Sequence, residues 1–237
     1  MKPKKLQKSE YGPKTAEFLD LAYKDYLAAR VLLNAHLVVQ GAVLASTAIE
    51  KYFKAILAFR GNESHGHLKK AHFNAAKNFD MRLAAVLNDD FLLLLQKSYS
   101  LRYLDDLPNG FNLVIASREF LAELDQTAIT MQESFRLSKG GKNIVLRYHT
   151  DKANRDPHLY HDNFLLNGLD KQSFISAEPQ LVFEIRQVKS DDRFEVEYLA
   201  RPTQSDGKFL RAGFMPLDEV GARFQMALKP LAPNDAS

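Results

Sequence analysis

The feature that most limits the fold is a change in hydrophobic period close to residue 138. Up to Leu137, apolar residues recur three or four positions apart, which is the spacing of one face of an α-helix. Beyond that point, several short segments alternate apolar and polar residues, as half-buried β-strands do. Residues 139–142, with two glycines, are typical of a linker. The sequence therefore predicts a helical part followed by a small α+β part.

The helical part, residues 14–138, is expected to form about five helices with short connections, arranged as an all-α, up-and-down antiparallel bundle. Residues 1–13 are expected to be a flexible tail, basic because of four lysines and no acidic residue among the first eight. Glycine, proline and polar clusters set the helix limits. The first expected helix begins near Pro13, and the second begins after Gly41 and ends at Gly61. The other three cover about His67 to Phe79, Met81 to Tyr103 and Phe111 to Leu137.

The second part, residues 143–229, is expected to be an α+β domain with antiparallel strands. Asp191-Asp192 lies between two strand-like runs and indicates a hairpin turn. A short amphipathic helix and a disordered tail are expected to follow, at residues 217–228 and 230–237. The expected strands are residues 143–150, 180–188, 193–200 and 209–215.

Composition excludes several classes of chemistry. The chain has no cysteine, so disulfides, thiolate metal sites and cysteine nucleophiles are absent. No signal peptide pattern is visible, and the longest apolar run is far shorter than the ~20 residues of a membrane span. We therefore expect a cytoplasmic protein without a membrane partner. The net charge of +3 comes from the N-terminal lysines, because all residues after the first eight sum to −1.

One predicted helix carries a polar stripe opposite its apolar face. Thr47, Glu50, Lys51 and Lys54 lie three or four positions apart, so they share one side of that helix. Glu50 and Lys54 could form an ordinary surface ion pair, or they could line a ligand cleft. Both interpretations are open from the sequence.

Four segments, in the same order, resemble the signature of the HEPN family of helical domains. They are Ala22-x-x-Asp25-x-x-Ala28-Ala29-x-x-Leu32-Leu33, Ala45-x-x-Ala48-x-Glu50-Lys51-x-x-Lys54-Ala55, Gly66-His67-Leu68 and Tyr99-x-x-Arg102-Tyr103. The resemblance covers residues 14–137 and leaves the α+β part unassigned. It implies a bundle that usually forms a homodimer and has a polar cleft for a nucleotide or RNA. The ligand-binding residues that it implies are Asp25, Glu50, Lys51, Lys54, His67, Tyr99, Arg102 and Tyr103.

Many HEPN proteins are ribonucleases, often the toxin of a toxin–antitoxin pair, in which four to six residues separate an Arg from a following His. The His would move protons and the Arg would stabilise the charged transition state. Here the positions after Arg102 hold Leu107, Pro108 and Asn109. We therefore predict a protein without the usual nuclease pair and without a cofactor, which binds a nucleotide, RNA or a partner protein.

Two alternatives remain open. The first is a metal-independent endoribonuclease that uses Arg102 with a displaced histidine, His67 or His36. Comparable Arg–His spacings occur elsewhere, in Arg30 with His36, Arg60 with His65 or His67, and Arg155 with His161. The second is a pure protein-interaction module whose C-terminal strands dock through an open edge. The motifs of nucleotidyltransferases are missing, so a partner of that type would be a separate chain.

Each of these residues also has a structural interpretation. Asp25 lies on an apolar helix face and needs a partner, which Lys51, Lys54 or Arg102 could supply. Arg102 could cap a helix end, and Tyr99 and Tyr103 could be core aromatic residues. Two histidine clusters do not have the spacing of metal ligands, so no metal site is expected. These clusters are His65, His67 and His72, and His149, His158 and His161.

Overall fold

The computed structural model describes residues 4–63, 67–68, 70–139, 141–189 and 192–200. This part of the chain is mostly helical, with a small three-stranded antiparallel sheet. Its helices are α1 (Tyr11–Asn34), α2 (Val38–Phe59), α3 (Lys70–Lys77), α4 (Met81–Val86), α5 (Asp89–Ser98), α6 (Ser117–Ser134), α7 (Arg147–Ala153), α8 (Pro157–Tyr160) and α9 (Lys171–Ser176). Its strands are β1 (Lys4–Lys5), β2 (Asn62–Glu63), β3 (Phe111–Ala116), β4 (Ser138–Lys139), β5 (Lys142–Asn143), β6 (Gln180–Lys189) and β7 (Asp192–Ala200).

The long helices α1 and α2 pack against each other through small residues, several of them buried alanines. Gly41 was expected to mark a break before α2, and that expectation is wrong. It lies inside α2, where a Cβ atom would come within 2.7 Å of the Leu33 side chain. The glycine therefore permits the close approach of two helices, and the chain turns earlier, at His36, whose φ is 62°. The expected end of this helix at Gly61 is confirmed by its φ of +76° directly after α2.

The single helix expected from Met81 to Tyr103 is wrong, because side chains end and restart it. Asp80 accepts a hydrogen bond from the backbone N–H of Arg82 at the start of α4. Asn88 does the same for Asp90, at 3.0 Å, at the start of α5. The chain then continues as two 3₁₀ turns, Tyr99–Arg102 and Leu104–Asp106. Neighbouring capping residues thus divide one apolar periodicity into shorter elements. The third helix is shorter than expected as well, since α3 covers Lys70–Lys77.

The helix expected from Phe111 to Leu137 is wrong over its first six residues, which form strand β3. This strand is buried along its whole length and pairs with β6 in antiparallel register, Phe111 opposite Gln187. A strand buried on both faces lacks the alternation that would reveal it, so its apolar run is ambiguous. Helix α6 follows directly, and the Gln180 side chain accepts hydrogen bonds from the first N–H groups of that helix.

The sheet has the order β3–β6–β7 and rests one face on the helices. Phe183 and Ile185 of β6 belong to the same hydrophobic core as the helical residues, while Val114 and Val182 belong to a smaller cluster on the other face. The expected strands at residues 180–188 and 193–200 are confirmed. Of the turn expected at Asp191-Asp192, the second residue begins β7 and residue 191 lies outside the described residues. The elements expected at 209–215, 217–228 and 230–237 also lie outside them.

The strand expected at residues 143–150 is wrong, because most of this segment belongs to helix α7 or leads into it. Tyr148 is buried, and its hydroxyl donates to Glu133 at 2.9 Å. Lys152, one turn later, donates to the same carboxylate, and a helix brings the two side chains to one face. The expected linker is a small hairpin, in which Ser138 pairs with Asn143.

The described N-terminal residues are structured, contrary to the flexible tail expected there. Strand β1 pairs with β2, with Lys5 opposite Asn62. A 3₁₀ turn, Lys8–Glu10, leads into α1 at Tyr11, whose ring lies against Gly61. In the described part of the chain, none of the helices combines the length and apolar content needed to cross a bilayer.

A buried ion pair lies between α1 and α6, and its arginine also contacts the second half of the chain. Arg30 of α1 and Asp125 of α6 are both fully buried and form an ion pair. The same guanidinium donates to the backbone carbonyls of His158, at 3.2 Å, and His161. Tyr26 donates its hydroxyl to Asp125 at 2.8 Å. Burial raises the pKa of Asp125, and the adjacent guanidinium opposes that rise.

We predict that Asp125→Ala lowers the free energy of unfolding by about 3–5 kcal/mol, because it leaves the Arg30 charge buried without its partner. Urea unfolding measures this loss. Asp20→Ala is the matched control, since Asp20 pairs with Lys24 on the exposed side of α1 and its loss should cost at most ~1 kcal/mol. The double change Arg30→Met with Asp125→Leu should recover much of the stability. An equal loss of unfolding free energy in Asp125→Ala and Asp20→Ala would contradict this role of Asp125.

Candidate ligand-binding site

The middle of α2 faces two short segments that come from distant parts of the sequence. Ser46, Glu50 and Lys54 lie on successive turns of α2, so their side chains share one face. Opposite this face are His67, in the connection between α2 and α3, and the 3₁₀ turn Tyr99–Arg102 after α5. The structure therefore brings together most of the residues that the HEPN resemblance implies.

Glu50 is the central acceptor of this group. Its carboxylate accepts from the ammonium group of Lys54 and from Nδ1 of His67. The Glu50 side chain is only 13% exposed. Burial raises its pKa, but the hydrogen bonds from His67 and Lys54 outweigh burial, so the pKa lies below its ordinary value of 4.5. Glu50 and Lys54 thus form the expected i,i+4 ion pair, and the same carboxylate also orients a histidine.

His67 is held from its other side by a serine. The distance from Nε2 of His67 to Oγ of Ser46 is 3.1 Å. The single hydroxyl hydrogen of Ser46 points to the backbone carbonyl of Leu95, 2.7 Å away. Both ring nitrogens of the histidine therefore face oxygen atoms of the protein, one of Glu50 and one of Ser46. The order Ser46–His67–Glu50 resembles that of a hydrolase triad, but Ser46 is fully buried and its hydrogen is already used. It supports the histidine and is not placed to attack a substrate.

A stack of aromatic and cationic groups continues from His67 to the surface. The Tyr99 ring lies on the imidazole of His67, with 3.4 Å between ring centres and 29° between planes. The Tyr99 hydroxyl accepts from Nη1 of Arg102 at 2.7 Å. The Arg102 guanidinium carbon lies 4.8 Å from the centre of the Tyr99 ring and 5.5 Å from that of Tyr103. Arg102 is exposed, and 59% of Tyr103 is exposed. The stack therefore presents a cation between two rings at the surface.

Asp25 of α1 forms a second contact group on the neighbouring side of α2. Lys51 donates to its carboxylate, and the Thr47 hydroxyl lies 3.1 Å from the same oxygen. Asp25 thus has the partner that its position on an apolar face requires, and among the three candidates that partner is Lys51. Thr47 and Lys51 lie next to Ser46 and Glu50 along the helix, so the two groups share one side of α2.

Two contributors to this site were not predicted from the sequence. They are Ser46, which contacts His67, and the Leu95 carbonyl, which accepts from Ser46. Ser46 precedes Glu50 by four residues, so the helical spacing contained a signal for it. Nothing in the sequence indicates the carbonyl, because its position depends on how α5 packs against α2.

The other Arg–His spacings do not form comparable sites. Arg30 is buried against Asp125, while His36 is exposed in the turn after α1. Arg155 lies over the Tyr160 ring, at 5.2 Å from its centre. His65 lies outside the described residues. In the described ranges, no group of three histidine, aspartate or glutamate side chains is arranged to hold a metal ion.

We predict that Glu50→Gln destabilises the protein by about 1–3 kcal/mol at neutral pH, because it replaces a charged acceptor of two hydrogen bonds. A carboxyl whose pKa is lowered on folding stabilises the protein fully at a pH above its unfolded-state pKa, ordinarily 4.5. This stabilisation is lost as the pH falls through the lower pKa of the folded state. The difference between wild type and variant should therefore shrink on acidification. Chemical unfolding at a series of pH values measures it, with Glu17→Gln, in an exposed pair with Lys14, as control. A constant difference would contradict this assignment.

Comparison with known proteins gives no matching family model, no matching curated protein and no matching solved structure. The resemblance to HEPN domains therefore stays a prediction from the residues themselves.

Proposed function

We propose that this protein binds a nucleotide or single-stranded RNA at the surface formed by Tyr99, Arg102 and Tyr103. The observation that carries the proposal is the exposed guanidinium of Arg102, held between two tyrosine rings, one of which is braced by His67. A guanidinium can donate two parallel hydrogen bonds to a phosphate. An exposed tyrosine ring offers a face on which a base can stack.

The charges around the site favour Arg102 as the phosphate contact. Lys51 is paired with Asp25, and Lys54 is paired with Glu50, so both ammonium groups are neutralised. Within the described part of the chain, Arg102 has no carboxylate partner, and its hydrogen bond goes to the neutral hydroxyl of Tyr99. It therefore has donors left for a ligand. Asp25, Glu50, Lys51 and Lys54 then act by holding α1, α2 and His67 in place beside the stack.

The resemblance to HEPN domains supports the same class of ligand, because that family is associated with nucleotide and RNA binding. A homodimer, a toxin–antitoxin role and a separate nucleotidyltransferase-type partner chain also follow from that resemblance. We keep them as part of the proposal.

We predict that Arg102→Ala weakens binding of AMP and of a labelled single-stranded RNA by about 10- to 100-fold, because a hydrogen bond to a charged group contributes about 1.5–3 kcal/mol. Tyr99→Phe should weaken binding less, since it removes the acceptor that orients Arg102 and keeps the ring on His67. Titration calorimetry measures AMP binding and fluorescence anisotropy measures RNA binding.

Lys24→Ala is the control for this experiment, because Lys24 is an exposed cation of α1 that pairs with Asp20. It should leave both affinities unchanged. Equal dissociation constants for wild type and Arg102→Ala would refute the site. If the wild type bound neither ligand, the pure protein-interaction module would take its place.

A metal-independent endoribonuclease is the second candidate, because His67 and Arg102 contact opposite ends of one side chain, Tyr99. The contacts of His67 argue against it. Both ring nitrogens face oxygen atoms of the protein, so neither is free to exchange a proton with a substrate.

We expect that purified protein leaves labelled RNA intact in the presence of EDTA. Gel analysis of the products checks this. Cleavage that is lost in both Arg102→Ala and His67→Gln would favour the nuclease over the binding protein. Cleavage that persists in Arg102→Ala would come from elsewhere and would support neither candidate.

A further inference from the structure

A strongly basic segment lies outside the site described above. Residues 136–155 contain six cationic residues and one acidic residue, Asp151, a net charge of +5. The whole chain carries +3, so all other residues together carry −2. The sequence places part of this charge in an expected linker and part in an expected strand. The structure places this segment in the β4–β5 hairpin, in helix α7 and in the residues that flank them.

Four cations of this segment, Arg136, Lys142, Arg147 and Arg155, are exposed, and Lys152 is half-buried beside Glu133. Arg136 donates to the backbone carbonyls of Glu133, at 3.4 Å, and of Phe135, at 3.5 Å. Lys142 is exposed at the hairpin. In the described ranges, neither of these two cations has a carboxylate within ion-pair distance. Arg147, by contrast, pairs with Asp151 but is still 52% exposed.

Neighbouring elements extend the basic surface. Arg60, directly after α2, lies over the Phe79 ring. The centre of that ring is 4.9 Å from the centre of the Phe135 ring, and Phe135 precedes Arg136 in the chain. Beside them is a cleft of about 350 Å³. It is lined by Arg82, Lys152, Glu133 and Thr130 and by the apolar side chains of Val86, Ile129, Leu165 and Leu166.

The cations of this surface also affect the pKa of His149 of α7. Burial lowers the pKa of His149, and the charges of Arg136 and Lys152 lower it further. Glu133, which accepts from Lys152, raises it without cancelling these effects. Arg136 and Lys152 therefore lie close enough to α7 for their charges to act on His149.

We infer that the β4–β5 hairpin and α7 bind the phosphate backbone of single-stranded RNA, as a second surface separate from Arg102. A row of exposed Arg and Lys side chains neutralises successive phosphates without reading sequence. The exposed guanidinium of Arg155, 5.2 Å from the centre of the Tyr160 ring, adds a stacking position of the kind that bases use. An interfacial membrane site needs a continuous apolar face. Among the described residues of 136–155, Val145 is the one large apolar side chain that is exposed, so such a face is not formed there. The choice of RNA as the polyanion rests on the proposed function.

The test compares the salt dependence of RNA binding in two double variants. Arg136→Ala with Lys142→Ala should lower the slope of log affinity against log salt concentration by about 1.4, because each lost phosphate contact on a single strand removes about 0.7. AMP binding should be unchanged, since it reports on Arg102 alone. The charge-conserving change Arg136→Lys with Lys142→Arg should keep the wild-type slope.

Lys14→Ala with Lys24→Ala removes the same net charge from α1 and is the matched control, with no change of slope expected. An unchanged slope in the hairpin variant, an equal change in the control, or no RNA binding by the wild type would overturn the inference. Tighter binding to anionic phospholipid vesicles than to RNA would overturn it in favour of a membrane. AMP binding that is lost in Arg102→Ala and kept in the hairpin variant reports on the Arg102 site. A failure of the hairpin surface is therefore distinguishable from a failure of the Arg102 site.

Discussion

The packing of this protein depends on the guanidinium of Arg30, which is fully buried and must be neutralised where it lies. Its partners come from two places, Asp125 of α6 and the backbone carbonyls of residues 158 and 161. A charge inside a protein is tolerated only when all of its donors find acceptors. The segment after residue 156 is therefore needed to complete the interior that the first two helices begin.

The sheet and the helices share one hydrophobic core. Strand β3 comes from the helical half of the sequence and pairs with β6 from the other half. Phe183 and Ile185 then pack into the same core as the residues of α1 and α2. Helix α7 lies against α1 as well, where the Tyr148 ring meets the Tyr23 ring edge-on with 5.8 Å between their centres. The core thus includes residues from both sides of the expected linker.

The two basic surfaces differ in how the protein supports their charges. Arg102 is held by a succession of contacts that begins at a buried serine and passes through His67 and Tyr99. Such support reduces the entropy that a side chain loses when it binds a ligand. Arg136 and Lys142 have no comparable support, since they project from a hairpin and a helix end. The first arrangement suits one specific contact, and the second suits a polyanion that makes several interchangeable contacts.

Residue types and their spacing determined much of this protein. The helical period predicted the long helices, and the alternation predicted β6 and β7. The polar stripe of α2 indicated that Glu50 and Lys54 share a face. The tertiary structure alone decided that Phe111–Ala116 is a strand, because a short apolar run takes its form from the neighbour that offers it hydrogen bonds. It also decided which groups meet His67 and Arg30, since their acceptors include backbone carbonyls, which every residue carries and no sequence pattern distinguishes.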